Sequence, residues 1–388
     1  MMNLAILGST GSIGTSTLAV VQKYPDRYRV AGLAAGSNVE LLAQQIRTFS
    51  PDVVCIADNA SRDRLAGMLS GSVVPELLAG HEGMRAVATL STAEIIIQAI
   101  SGAAGLLPTM AAVQAGKRIG LANKESLVMA GALIIEQARS TGSRIIPIDS
   151  EHSALYQLLS GHPRENIRSL ILTASGGPFL GHPAEALERV TPSEALQHPR
   201  WKMGRKITTD SASLMNKGLE IIEAHWLFDI PADKIQVVIH PESIIHAMVA
   251  FIDGTFIAHM SRPDMQAPIA YALSCPERLD GVVEPLDFAT LGSLTFQLPD
   301  RKRFPSLQLA YDALAAGGLM PTVMNAANEI AVQKFHDQAL SFTGMPRLVR
   351  AVMERFVPPT SVTLETILWA DTWARDEAEK LVSQKKVS

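Results

Sequence analysis

The sequence predicts an α/β chain: an N-terminal doubly wound parallel sheet, an α+β middle region with a sheet able to pair with a second subunit, and a C-terminal α-helical bundle. Three observations carry this reading. Over residues 1–149 short apolar runs alternate with helix-period segments, which marks βαβ units and a mostly parallel sheet. From about 150 to 300 the period becomes irregular and includes strand runs that close as a hairpin. From Pro305 onward the pattern is helical.

In the first region the expected strands are 3–8, 29–35, 52–57, 94–100, 118–122 and 144–149. Between them lie helix patterns near 12–23, 39–49, 61–69, 105–116 and 125–140. The middle region offers a strand at Leu170–Thr173, an amphipathic helix from Asp210 to Phe228, and strands at 236–240 and 244–260 with a turn at Asp253-Gly254. The tail reads as helices at 305–316, 321–340, 346–355 and 362–384, a packed bundle in which Asn325–Glu329 spells no legible site.

Composition narrows the class. With 388 residues, 47% hydrophobic and 19% charged, the chain can bury a large core across two to three domains. A net charge of −4 gives no basic footprint for nucleic acid. The two cysteines do not suggest a disulfide framework: Cys55 lies inside the apolar run Val53–Ile56, and a reduced cytoplasm is the simpler expectation. Residues 95–116 carry no charge and are long enough to span a bilayer, but Gln98, Gly102 and Pro108 interrupt them. They read as strand, turn and helix, so no membrane partner is expected. The opening residues form a strand without a basic leader, which points to a soluble, cytoplasmic protein.

The chemistry concentrates where predicted strands end. The run 144–148 stops at Asp149-Ser150-Glu151, and open α/β sheets bind ligands beyond the carboxyl ends of their strands. If the chain stays extended, Asp149 and Glu151 leave one face and can grip a hard cation. Alternatively Asp149 or Ser150 caps a helix beginning near His152. The first turn, Gly8-Ser9-Thr10-Gly11-Ser12-Ile13-Gly14, sits between a strand and a helix, where glycines admit a dinucleotide pyrophosphate to backbone N–H groups. A purely structural turn is the other reading. After the second strand, Gly36-Ser37-Asn38 lacks the acid that holds an NAD ribose; none comes before Glu40, which favours NADP. Asn123-Lys124-Glu125 is another carboxyl-end turn. A lysine at a helix start opposes the helix dipole, so Lys124 reads as a substrate contact or else as a solvated charge.

Three middle stretches add to this. Ser175-Gly176-Gly177-Pro178 is either an anion cradle or a bare turn. His198-Pro199-Arg200-Trp201-Lys202-Met203-Gly204-Arg205 is basic and aromatic, suited to a lid over an anionic ligand or to a surface loop whose Trp packs locally. Asn216, Lys217 and Glu220 project to neighbouring positions on one helix. By themselves they read as an ordinary solvated pair; with Asp149 and Glu151, Glu220 would be a third carboxylate for Mg²⁺ or Mn²⁺. Zinc is not favoured, since no Cys cluster or helical His pair occurs. His225, His240, His246 and His259 lie in or beside apolar runs and read as core or interface histidines.

Taken together, the chain closely resembles the 1-deoxy-D-xylulose 5-phosphate reductoisomerase family over essentially its whole length. The carrying motifs are Gly-Ser-Thr-Gly-Ser-Ile-Gly at 8–14, Ala-Asn-Lys-Glu-Ser at 122–126, Asp-Ser-Glu-His at 149–152, Ser-Gly-Gly-Pro-Phe at 175–179, His-Pro-x-Trp-x-Met-Gly-Arg-Lys at 198–206 and Met-Asn-Lys-Gly-Leu-Glu at 215–220. The resemblance implies a homodimeric oxidoreductase and isomerase of the non-mevalonate isoprenoid pathway. It would use NADPH and Mg²⁺ or Mn²⁺, with Co²⁺ a further candidate, to turn 1-deoxy-D-xylulose 5-phosphate into 2-C-methyl-D-erythritol 4-phosphate.

Residue by residue it implies Asp149, Glu151 and Glu220 as metal ligands, and these three with Lys124 as the catalytic group. Ser175, Ser211, Asn216 and Lys217 would grip the phosphosugar, with Ser150, Lys124 and His198 also touching it. Thr10, Gly11, Ser12, Ile13, Gly36, Ser37, Asn38, Asn123, Glu125 and Gly204 would hold NADPH; Trp201 and Met203 would sit on the lid. The implied division is 1–149 for a Rossmann-like NADPH domain, 150–275 for metal, substrate and dimerisation, 276–300 as linker and 301–388 as helical domain. The chain departs from the family at Ser37, where many members carry a basic residue, and it looks short between Gly161 and Arg168, a surface-loop trimming. Two rival readings are another two-domain NAD(P) oxidoreductase and a non-enzymatic NADP-sensing module. The first would need a reactive cysteine in its covalent form; the second would leave three carboxylates unexplained.

Overall fold

Seven parallel strands, lying side by side in the order 76–79, 53–56, 28–34, 2–7, 95–98, 118–121 and 144–147, form the first sheet, and four, in the order 256–260, 245–251, 167–174 and 235–239, form the second. The structure, a computed structural model, describes residues 1–70, 74–201 and 203–384. In chain order the first stretch runs β1 (Met2–Leu7), α1 (Ser12–Lys23), β2 (Tyr28–Ala34), α2 (Val39–Phe49), β3 (Val53–Ile56), α3 (Asn59–Met68), β4 (Glu76–Ala79) and α4 (Gly80–Ala88). It continues with β5 (Ile95–Gln98), α5 (Leu106–Gln114), β6 (Arg118–Leu121), α6 (Lys124–Thr141), β7 (Arg144–Pro147) and α7 (Ser150–Leu158). Then come β8 (Ile167–Ala174), α8 (Pro192–Ala195), α9 (Arg205–Ala212), α10 (Met215–Phe228), β9 (Ile235–Ile239), β10 (Ile245–Phe251) and β11 (Phe256–Met260). The chain closes with α11 (Gln266–Ser274), α12 (Phe288–Leu291), α13 (Ser306–Ala316), α14 (Met320–His336), α15 (Gly344–Arg355) and α16 (Leu364–Ser383).

Two compact units result. The first comprises Met1–Ser126, Ile134–Ser153 and Asp264–Glu284; the second comprises Leu127–Leu133, Ala154–Pro263 and Pro285–Ser388. In the first unit, β3 and β5 are buried throughout and β1 from Leu4 to Leu7, as a sheet covered on both faces requires. The later segment Asp264–Glu284 joins this unit through Arg118, whose guanidinium donates to the carbonyl oxygens of Ala272, Leu273 and Cys275 at 2.8–3.2 Å. In the second unit β8 pairs parallel with β9 and antiparallel with β10, and β10 and β11 form the expected hairpin.

The structure corrects the sequence reading at two points. A seventh strand, β4, and the helix α4 occupy a stretch that showed no clear period; β4 is a short edge strand of half-exposed residues. The helix expected from Asp210 to Phe228 is two helices, broken where Leu214 takes φ +61°. The uncharged stretch 95–116 is β5, a turn and α5, and among the described residues no helix is long and apolar enough to cross a membrane. Both cysteines are buried and free, and burial pushes the Cys55 thiol up to about 11, so it is no nucleophile at neutral pH.

Candidate active site

In the first unit, parallel pairing puts every strand-end turn on one edge. Leu7 is level with Ala34 on one side and Gln98 on the other, so Gly8 emerges beside Ala99. Gly8 has φ +86°, and a Cβ there would stand 2.5 Å from the Ala99 carbonyl oxygen; one at Gly14 would stand 2.3 Å from that of Gly8. Only glycine fits either place, and together they lay the turn flat against the start of α1. The Gly11 N-cap has no side-chain hydrogen bond to the helix, so the first-turn N–H groups of α1 face an incoming anion. Buried Gln45 donates to the Ser9 carbonyl oxygen at 2.9 Å and fixes the turn from α2. Gly36, Ser37 and Asn38 are exposed at the end of β2; Asn38 caps α2 by accepting from Leu41 N at 3.1 Å. These are the features a pyrophosphate needs, and a dinucleotide fits them.

The same edge assembles the charged group. Leu121 on β6 is level with Pro147 on β7, so Lys124, three residues on, and Asp149, two residues on, leave the sheet together. Lys124 Nζ donates to Asp149 Oδ2, with side chains only 5% and 14% exposed. Lys124 is therefore no solvated charge: a buried carboxylate offsets the helix dipole that opposes it. Ser150 Oγ donates to Glu151 Oε2 at 2.6 Å, and His152 Nδ1 lies 4.0 Å from Asp149 Oδ2. Asp149 also stands at the start of α7, which begins at Ser150 rather than near His152. Carboxylate oxygens are ligands that suit Mg²⁺ or Mn²⁺, and the Lys124 ammonium already sits on this one. Buried Asn123 caps α6 through Ser126 N at 3.0 Å and donates to Ile100 O at 2.6 Å and to Glu125 Oε2 at 3.1 Å, tying this turn to the one after β5.

In the second unit β8 opens into Ser175, Gly176 and Gly177. Gly177, at φ +70°, lies so close to α9 that a Cβ would come within 2.8 Å of the Ser211 carbonyl oxygen. The tautomer of His198 follows from its contacts. Its Nδ1 accepts from Trp201 N at 2.9 Å and Arg200 N at 3.2 Å, so the ring proton is on Nε2, 2.9 Å from Ser175 Oγ. Ser175 Oγ also accepts from Gly177 N at 3.3 Å. With both lone pairs taken, its O–H is left to donate outward, as a phosphate oxygen requires. One imidazole thus ties the 198–204 segment, including Trp201, to the cradle. Trp201 lies 6.4 Å, centroid to centroid, from the His246 ring, Met203 is half-buried and Gly204 caps α9; Lys202 lies outside the described residues.

Burial pushes the His198 ring down to about 4 from the ordinary 6.5. Protonation therefore opposes the folded arrangement: nothing is lost above 6.5, and stability falls as the pH drops from there toward 4. A KM for a phosphorylated substrate is expected to show no His198 titration between about pH 6.5 and 9. His198→Phe, which removes the donor, is expected to raise that KM about fivefold across the range; steady-state kinetics against pH checks both.

On α10, Asn216 Nδ2 donates to Glu220 Oε1 at 2.5 Å and Lys217 Nζ donates to Glu220 Oε2. The Lys217 and Glu220 side chains are 3% and 1% exposed, which rules out an ordinary solvated pair. Two buried carboxylates escaped the sequence reading. Asp210 takes Lys206 at 2.9 Å and accepts from Asn328 Nδ2 at 2.8 Å, so the Asn325–Glu329 stretch has a structural task. Glu223 is fully buried one turn beyond Glu220. Its signal was an acid at i+3 from Glu220, which continues the polar face of Asn216, Lys217 and Glu220 along the helix. His225 and His240 meet backbone carbonyl oxygens at 2.8 and 2.9 Å, and His246 meets Ser261 Oγ at 2.8 Å, as expected of satisfied histidines.

A parallel sheet with a dinucleotide turn, a buried lysine–carboxylate group on the same edge, and a separate hydroxyl cradle define a nucleotide-dependent oxidoreductase acting on a small molecule. Family profiles described as 1-deoxy-D-xylulose 5-phosphate reductoisomerase, its C-terminal domain, and DXP reductoisomerase C-terminal domain match residues 4–131, 145–228 and 260–377. The 1-deoxy-D-xylulose 5-phosphate reductoisomerase of Chlorobaculum tepidum is 54% identical over 98% of this chain and 100% of its own length. That of Geotalea uraniireducens is 53% identical over the full length of both. A crystal structure of DOX-P reductoisomerase with NADPH, fosmidomycin and magnesium superposes with a TM-score of 0.93 at 41% identity, covering 100% of this chain and 99% of that one. The Zymomonas mobilis enzyme with NADPH gives 0.91 at 42% identity, covering 98% and 99%. The chain belongs to the 1-deoxy-D-xylulose 5-phosphate reductoisomerase family.

Proposed function

We propose that the protein rearranges and reduces 1-deoxy-D-xylulose 5-phosphate to 2-C-methyl-D-erythritol 4-phosphate, using NADPH and Mg²⁺ or Mn²⁺, as a cytoplasmic homodimer in isoprenoid precursor synthesis. The observation that carries the reading is the buried Lys124–Asp149 pair beside Glu151, on the sheet edge that also holds the dinucleotide turn. When bound, the nicotinamide supplies hydride and the divalent ion a Lewis acid for adjacent oxygens. Asp149, Glu151 and Glu220 are the proposed metal ligands. Ser175, Ser211, Asn216 and Lys217 are the proposed phosphate grip, with His198 orienting Ser175 and Ser150 touching the sugar. Lys124 holds or moves a proton at the rearranging oxygens. Thr10–Ile13, Gly36–Asn38, Asn123, Glu125 and Gly204 serve NADPH, while Trp201 and Met203 exclude water. Residues 1–149 are the proposed coenzyme domain, 150–275 the catalytic and dimerisation domain, 276–300 a linker and 301–388 the helical domain.

The decisive assay is NADPH oxidation with 1-deoxy-D-xylulose 5-phosphate, run with Mg²⁺ or Mn²⁺ and again with excess chelator. Oxidation that chelation abolishes supports the assignment; NADPH binding without oxidation under any metal sinks it in favour of a sensor. Support for the dimer comes from β11, an edge strand paired, among the described residues, with β10 alone: Phe256 and Ile257 on it are 62% and 40% exposed, and Ile252 in the turn before it is 64% exposed. Bare apolar edges invite pairing. Phe256→Asp is expected to shift the sedimentation coefficient to that of a monomer, and an unchanged dimer would place the interface elsewhere.

A further inference from the structure

Ser37 leaves the end of β2 without the cation that a 2′-phosphate needs, yet a cation stands close by in the fold. Arg64, on α3, places its guanidinium on the carboxylate of Glu40, the second residue of α2 and two positions after Asn38. The end of β3 lies along the same corner, with Ala57 N donating to Gly36 O at 3.4 Å. Both side chains are more than half exposed, so the pair contributes little to folding and the guanidinium is free to turn.

We propose that Arg64 selects NADPH over NADH, turning to share its guanidinium fork between Glu40 and the 2′-phosphate when the coenzyme binds. The inference rests on the dinucleotide reading of the first unit. A dianionic phosphate is a stronger partner for a guanidinium fork than one carboxylate. Arg64 also cancels Glu40, whose bare charge would repel a 2′-phosphate and accept a ribose 2′-OH instead. The chain thereby supplies from α3 the charge that Ser37 does not.

The test is direct binding of NADPH and of NADH to the full chain, by calorimetry or by energy transfer from tryptophan to the nicotinamide. Arg64→Ala is expected to weaken NADPH about 30-fold, the loss of one charged hydrogen-bonded contact, while NADH binds equally well or better. Arg64→Lys, a point charge without the fork, should fall between. Adding Glu40→Gln to Arg64→Ala should recover part of the lost NADPH affinity, because the repelling carboxylate is gone. The salt dependence of NADPH binding should flatten in Arg64→Ala. Equal weakening of both coenzymes would mark Arg64 as merely structural, and no change in either would also overturn the proposal. A wild-type chain that binds neither coenzyme would instead refute the dinucleotide reading beneath it.

Discussion

Glu220→Gln is expected to lower kcat/KM by about 10³-fold, roughly 4 kcal/mol of lost transition-state stabilisation, while the NADPH Kd stays within about twofold. Glu220 is already engaged on its own helix. Its two oxygens are taken by Asn216 and Lys217, residues proposed to grip the substrate phosphate. If Glu220 holds the divalent ion as proposed, Lys217 would be released to the phosphate, and a phosphate held by Lys217 would in turn free Glu220, so metal and substrate would each remove the other's competitor. The amide in Glu220→Gln still accepts hydrogen bonds, but it neither binds a hard cation well nor neutralises Lys217, which is 3% exposed. Breaking a buried pair costs about 3–5 kcal/mol, so the variant should melt earlier. Glu220→Asp keeps the charge and separates that effect from the chemical one. Equal losses in turnover and NADPH binding would argue against a metal role.

Much of this site was legible as residue types at spacings, and little of it as partnerships. Runs such as Ile95–Ile97 and Ile145–Ile146 are strongly β-forming and alternate with helix-period segments, so the parallel sheet and its strand-end turns could be read directly. β4 could not: Glu76-Leu77-Leu78-Ala79 has no β-branched residue and lies at an edge, where burial imposes no strict pattern. The break at Leu214 carries neither glycine nor proline, so tertiary packing alone holds that residue at φ +61°. Lys124 and Asp149 are 25 residues apart and Ser175 and His198 are 23 apart, distances at which no periodicity operates. The lone Lys at a helix start was a hint, because local physics disfavours it there. Asp210 and Glu223 were hidden for the opposite reason: acids on an amphipathic helix are ordinary unless their burial is known.

Lys124→Met is expected to bind the divalent ion more tightly while losing turnover by about 10²–10⁴-fold, the span of a positioned proton-transfer group. In the wild-type chain the ammonium occupies Asp149 Oδ2, so a divalent ion held by Asp149, its proposed ligand, would share that oxygen with a like charge or displace it. Removing the ammonium removes this competition and takes a counter-charge from a carboxylate only 14% exposed. The metal-free variant should therefore be destabilised by up to about 3–5 kcal/mol. Saturating Mn²⁺ should restore most of it, since an ion at about 100 times its Kd adds roughly 2.7 kcal/mol to the folded state. Thermal melting across a Mn²⁺ titration reads both effects, with a larger metal-induced rise in Lys124→Met than in the wild type. Weaker metal binding in the variant would show that Lys124 helps to build the ion's site rather than standing in for the ion. An inactive enzyme with improved metal affinity would place Lys124 with the reacting atoms, because holding the cation would no longer account for its loss.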